Sequence, residues 1–524
     1  MKRLLILTTA IILNMALSIN LLANDTIRMV WQVWEQQSKS FQIVATSGKT
    51  FNIDWGDNSP VETKTATGSP QWLSHTYDNS NFFTVTVSAA SSNCFFTVLN
   101  CSLGPLYSLD VSNSPKLTEL YCYTNLLSSL NISNNPQLIY LDCSNNLLSS
   151  LDVSNNPLLV RLECWRNQLS SLDVSNNPQL AWLYCYSNQL NILNVSNNPK
   201  LTLLECWKNQ LNTLDVSNRP LLTWLECWGN QLSSLNVSNN PQLTWLYCDS
   251  NQITSLDISN SPLLIELYCS NNQLSSLDVS NNPLLTWLYC DSNQLSSLDI
   301  SKNPRLEWLR CSSNGLSSLD ISGNPQLTFL YCFNNYLPLI DLYAASQQIS
   351  NADNKHLGTQ RLPAQIAMTD IAIFSSQAEF SGVPTVFYVE KDGVQADSAI
   401  DYIVSNGLVF KNTGNYTVTM TNDTIKSYQD YPAKVIVDIT VDFGNGIVET
   451  DNYPSLRIYP NPASEHLFIK FTEPQTADYS IFNIMGQIVK QGTLQGDDMI
   501  NVSSLTKGTY FLKIAGATVK FVKI

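Results

Sequence analysis

The chain is poor in charge, nearly free of histidine, and has no basic run. Charged residues fill 13% of its 524 positions, against roughly 25% in an ordinary soluble domain. Acids outnumber bases 42 to 28, leaving a net charge of -14. Without basic clusters there is no phosphate-neutralising term to drive nucleic-acid affinity or attraction to an anionic membrane surface, so no nucleic-acid partner is expected. After residue 22 no apolar run approaches the length that spans a bilayer, so the mature chain is not expected to insert into a membrane. The 44% hydrophobic content is nevertheless that of a folded chain. Neutral Asn, Ser and Thr replace the missing charges, a surface suited to work outside the cell.

The N-terminus agrees. Lys2 and Arg3 precede the mostly apolar run Leu4 to Leu22, and Leu21, Leu22 and Ala23 precede Asn24, so residues 1–23 read as a signal peptide.

Cysteine is used almost entirely in one way. Twelve of the 13 cysteines, from Cys101 and Cys122 to Cys311 and Cys332, recur every 21 residues without an insertion. Leu243 to Leu263, LTWLYCDSNQITSLDISNSPL, is a typical unit with the pattern L-x-x-L-x-C-x-x-N-x-I. It resembles the bacterial leucine-rich repeat family in a 21-residue variety. The expected fold is mainly β: a leucine-rich repeat solenoid of about twelve coils over residues 96–347, flanked by small β-sandwich domains. Strand alternation turns Leu246 and Cys248 inward and Trp245, Tyr247 and Asp249 outward. Asparagines three residues after the ladder cysteines, Asn125 to Asn335, can satisfy backbone groups at each turn, Gly104 holding that place in the first unit. A second column, from Asp110 through Asp152 and Asp173 to Asp341, with Asn131, Asn194 and Asn236 interspersed, reads either as turn bonding or as a calcium column. Free exchange of Asp for Asn favours turns. The ladder cysteines replace a strand leucine, and strand spacing exceeds the usual disulfide Cβ separation, so they are expected to be thiols. No C-x-x-C pair occurs and no histidine falls in the array, so neither metal nor cofactor is expected.

Three modules flank the repeats. Residues 26–95 alternate in short runs, and Trp55-Gly56-Asp57 with His75-Thr76-Tyr77 resembles the PKD family of β-sandwiches, in which these residues order a loop and a core edge. Asn58 stands where that family has glycine. Residues 348–441 read as a second β-sandwich and 442–455 as a linker. Residues 456–524 resemble the C-terminal sorting domain of the type IX secretion system of Bacteroidetes. Carried across, Pro460-Asn461-Pro462 is the opening turn, Gly486 the hairpin glycine, and Leu505, Gly508 and Tyr510 the L-x-x-G-x-Y motif. The resemblance implies type IX machinery as a partner and a secreted or outer-membrane-surface location.

The outward strand positions carry the functional expectation. Of 36 such positions in twelve coils, 19 are aromatic and eight acidic, whereas the whole chain is 10% aromatic. The expected ligand-binding residues are Trp165, Trp182, Tyr184, Trp207, Trp224, Glu226, Trp228, Trp245, Tyr247, Trp287, Tyr289 and Trp308. A protein would be held by aromatic anchors, and a glycan by stacking sugar faces on rings while acids such as Asp142, Glu163 and Asp291 take hydroxyls. Copying of repeats for structural stacking is the bland alternative. Glu205 and Glu226, on adjacent strands, could act as paired carboxylates. An open face without a histidine argues against that, and no catalytic residue is expected.

Overall fold

The computed structural model describes residues 25–442 apart from 370, and 456–523 apart from 460–462, 472–475, 484–485, 496–497 and 515–516. The expected signal peptide, nearly all of the linker, and Pro460, Asn461 and Pro462 lie outside the described residues. The described residues form two compact units.

The first unit begins as a β-sandwich. Alternation buries Ile27, Met29, Trp31 and Val33 on strand Thr26–Val33, and Phe83, Val85, Val87 and Ala89 on Asn81–Ala89, and these two strands pair antiparallel. Trp55 stacks on His75 at 5.0 Å, and His75 Nε2 lies 2.6 Å from the Asp57 carboxylate. Tyr77 donates to the Trp55 carbonyl at 3.1 Å. These residues fasten a loop to the core. Gly56 is required there, because a Cβ would sit 2.4 Å from the Thr84 carbonyl oxygen. Asn58 adopts φ 68°, a left-handed conformation that asparagine tolerates, so the turn forms without the glycine.

One sheet of 15 strands runs from this sandwich through the whole solenoid. Strand Phe96–Asn100 pairs antiparallel with Gln37–Ala45 and parallel with Glu119–Tyr121, while Leu106–Asn113 joins the opposite sheet beside Thr26–Val33. The sandwich therefore covers the open end of the coil stack. Beyond it each coil supplies a three-residue parallel strand in fixed register, for example Leu225 opposite Leu246. The inward leucines and Cys122 to Cys332 are fully buried thiols and hydrophobes.

Each coil turns two residues after its cysteine, where Thr124, Arg166, Lys208, Gly229 and their counterparts all have positive φ. That turn directs backbone groups inward, and the next residue satisfies them. Asn209 Nδ2 donates to the carbonyls of Cys185 (3.1 Å) and Cys206 (3.0 Å), and its Oδ1 accepts from Leu190 N at 3.0 Å. A further asparagine ladder, not expected from the sequence, precedes the turn prolines: Asn156 Nδ2 donates to the Ile132 and Asn135 carbonyls at 3.1 and 2.9 Å. The Asp/Asn column closes Asx turns, as where Asp173 Oδ1 accepts from Ser175 N at 2.9 Å and Asn194 Oδ1 from Ser196 N at 2.9 Å.

Two expectations fail at the C-terminal end of the array. Asp341 does not continue the turn column but lies in helix Leu339–Gln348, where Pro338 and the run AASQQ replace the Ser-Asn-Asn-Pro turn. His356, placed outside the solenoid by the 21-residue phase, returns to its sheet: Lys355–His356 pairs with the strand holding Tyr331, and the imidazole stacks on Tyr331 at 3.9 Å. The helix offsets the chain by four residues, so periodicity alone missed this strand.

In the second unit, alternating runs form strands Val386–Lys391, Tyr402–Ser405, Gly414–Thr421 and Lys434–Asp442. The terminal segment forms two antiparallel sheets of three and four strands. Gly486 has φ 78° at the hairpin between Thr476–Asn483 and Ile488–Gln495, and Gly508 opens strand Gly508–Ile514. Tyr510 is buried and donates to the Thr506 carbonyl at 2.7 Å, while Leu505 packs against the core.

Candidate binding face

Parallel register brings outward side chains of successive coils into columns, because positions 21 residues apart fall on neighbouring strands. All twelve expected ligand-binding residues occupy this one face, in three groups.

The most regular group is Trp165, Tyr186, Trp207 and Trp228, stacked face to face at 5.2, 4.0 and 4.5 Å with planes within 9°. Lys208 caps the side of this stack, its Nζ 5.4 Å from Trp207 and 5.0 Å from Trp228. The second group centres on Trp224, 4.7 Å from Trp245 and 5.9 Å from Tyr247, with its indole N–H donating to Glu226 at 2.8 Å. Tyr247, Tyr268 and Tyr289 continue as a stack at 4.5 and 4.3 Å. Trp287, Trp308 and Phe329 flank it, Trp308 and Phe329 being 3.7 Å apart. In the third group Trp182 and Tyr184 surround Arg161, whose guanidinium lies 5.6 and 5.2 Å from their rings and 5.1 Å from Tyr140. Trp182, at 41% exposure, is the most open of the expected tryptophans; the other rings are half-buried.

The acids do not sit as open acceptors among the rings, as the sequence suggested for Asp142, Glu163 and Asp291. These three are only 7%, 9% and 7% exposed. Side chains on the flanking strands cover them, and internal donors use their oxygens. Glu163 binds Arg161 and accepts from Tyr140 at 2.6 Å. Asp291 pairs with Arg310 at 2.8 Å. Asp142 accepts from Ser144 N and Oγ, and burial pushes its carboxyl up to about 6. Asp249 accepts from Ser270 N and is also pushed by burial to about 6. Glu266 and Glu119 each take a tyrosine hydroxyl, from Tyr247 and Tyr121.

Glu205 and Glu226 differ. They face one another in register on neighbouring strands. Their donors are indoles: Trp207 at 3.4 Å to Glu205, and Trp224 to Glu226. Burial, then the Glu226 charge, raises Glu205 to about 7, and burial raises Glu226 as well. The arrangement can hold a proton or attract a cation. Grooves lined by turn segments such as Asn134–Pro136 and Asn218–Pro220 lie away from this pair. Among the described residues no group of three or more His, Cys, Asp or Glu could hold a metal ion.

The two basic residues at outward positions, Arg161 and Arg310, were not among the expected ligand-binding residues. Each is the centre of an aromatic and acidic cluster, Arg310 lying 5.1 and 5.2 Å from Tyr289 and Tyr331. The signal was available, because the 21-residue period sets Arg161 between Tyr140 and Trp182 and two residues from Glu163, and sets Arg310 between Tyr289 and Tyr331.

Solved structures similar to this chain include the functional domain of InlJ from Listeria monocytogenes, which includes a cysteine ladder. It is 27% identical, with a TM-score of 0.42, and the match covers 66% of this chain and 90% of that one. The internalin InlF from Listeria monocytogenes is 23% identical, with a TM-score of 0.45, over 51% of this chain and 80% of that one. YopM from Yersinia enterocolitica is 26% identical, with a TM-score of 0.32, over 43% and 57%. No curated protein sequence matches the chain. Residues 457–524 match the family model described as the secretion system C-terminal sorting domain, so the chain carries an export signal of that family at its C-terminal end.

Proposed function

We propose that this is an exported leucine-rich repeat protein, displayed at the outer-membrane surface or released from a Bacteroidetes-type cell, that binds a protein partner through the aromatic face of its solenoid. The sorting domain supports export through the type IX machinery. No helix among the described residues is long and apolar enough to cross a membrane.

The observation that favours a protein over a glycan is how the rings are used. A sugar binds by laying its face on an open ring face. Both faces of Tyr186 and Trp207 are covered by neighbours 4.0 to 5.2 Å away, as are those of Tyr268. What remains outward is a corrugated row of ring edges, which suits packing against side chains.

The test is a protein and glycan array probed with the full chain, followed by substitution. Trp224→Ala or Trp245→Ala should cost a protein ligand about 2 kcal/mol, or roughly thirtyfold in affinity. Tyr121→Ala or Phe329→Ala, near the ends, should cost several-fold less. Hits confined to glycans, or equal losses at centre and ends, would overturn the reading.

A further inference from the structure

The face carries an excess of negative charge. Among its 36 outward positions are eight acids and two bases, Arg161 and Arg310, and both bases are already paired, with Glu163 and Asp291. Of the remaining acids, Glu119, Asp142, Asp249 and Glu266 each receive a hydroxyl or backbone donor. Glu205 and Glu226 are the exception. Side by side on adjacent strands near the middle of the array, they have only indole donors, and among the described residues neither forms an ion pair. The Trp207–Trp228 stack stands on one side of them and Trp224 on the other.

We propose that this face docks a basic segment of a protein partner, and that an arginine or lysine side chain of that segment seats on Glu205 and Glu226 between the tryptophan walls. The proposal rests on the protein-binding reading above and names the partner's chemistry. Two like charges one strand spacing apart, partly withdrawn from water, repel one another. A cation bridging both carboxylates relieves that repulsion, and an arginine fork can reach two carboxylates at once. The bordering indoles exclude water, which strengthens the attraction between the carboxylates and a seated cation. The raised Glu205 carboxyl agrees in part, because after burial its next cause is the neighbouring Glu226 charge.

The experiment measures binding of labelled oligo-arginine and oligo-glutamate peptides to the full chain by fluorescence anisotropy, at about 0.15 M salt so that long-range attraction is screened. Oligo-arginine should bind and oligo-glutamate should not. The double variant E205Q/E226Q should weaken oligo-arginine binding about tenfold or more, a loss of roughly 1.4 kcal/mol. The double variant D278N/D299N removes the same charge from exposed turns and should weaken it less than about twofold, because those charges are screened by solvent. Gln is isosteric, and an unchanged or higher melting temperature in E205Q/E226Q shows that the fold survives. Equal losses in both variants, or no binding to the unaltered chain, overturn the proposal. A protein ligand weakened by Trp224→Ala but not by E205Q/E226Q would sink the cation site while leaving the recognition face standing. A ligand indifferent to both would sink the two readings together.

Discussion

If the stacked rings stabilise the solenoid as well as shape its surface, removing one should cost stability in proportion to the neighbours it loses. Trp207 has a ring on each side, Tyr186 at 4.0 Å and Trp228 at 4.5 Å, both within 9° of parallel. Trp228 has only Trp207, since the next coil carries Asp249 at that position. Trp182 has Arg161 beside it and is 41% exposed. An aromatic pair contributes about 0.5–1.5 kcal/mol beyond area burial. Trp207→Ala should therefore cost about 1–3 kcal/mol from stacking alone, Trp228→Ala about half of that, and Trp182→Ala less again. Urea unfolding followed by far-ultraviolet circular dichroism measures this without relying on tryptophan emission, and equal m-values establish that the same surface unfolds in each variant. The inward Leu204, Cys206 and Leu225 are untouched, so the core stays intact. If the three substitutions cost the same, or if Trp207→Ala costs less than about 1 kcal/mol, the stack is an incidental product of copied repeats with no energetic role.

Two further outcomes follow from the turns and the acids. Asn209→Leu leaves the carbonyls of Cys185 and Cys206 and the N–H of Leu190 without this partner in a buried setting; at about 1 kcal/mol or more each, a loss near 3 kcal/mol is expected in urea unfolding, whereas Asn194→Ala, losing one bond at an exposed turn, should cost under about 1 kcal/mol. Glu205 is raised from 4.5 to about 7, so the folded state holds its proton more tightly than the unfolded one; the resulting stability is fully present below about pH 4.5 and is lost as pH rises through about 7. Thermal melts across that window should show stability falling with pH, and Glu205→Gln should remove part of the slope; an identical slope in the variant would contradict the assignment.

How much was legible beforehand depended on whether a feature repeated. The 21-residue cysteine spacing determined the coil, its inward leucines and thiols, and its outward aromatic columns, because a strand has only two sides and an unbroken period forces equivalent residues into register. The asparagine after each left-handed turn was legible for the same reason. The ends were not. That Leu106–Asn113 closes the sandwich, and that Lys355–His356 rejoins the sheet after a helix, depends on long-range pairing in which the period is broken. Nor could the sequence tell a buried acid from an open one. Asp142, Glu163, Glu205 and Asp291 are all outward by alternation, yet only the packing of neighbouring side chains and the reach of Arg161 and Arg310 decide which are paired and which face an uncompensated charge. Alternation is a property of one strand, whereas desolvation and pairing belong to three strands at once, and that is why the composition of the face could be read from the chain while its electrostatics had to wait for the fold.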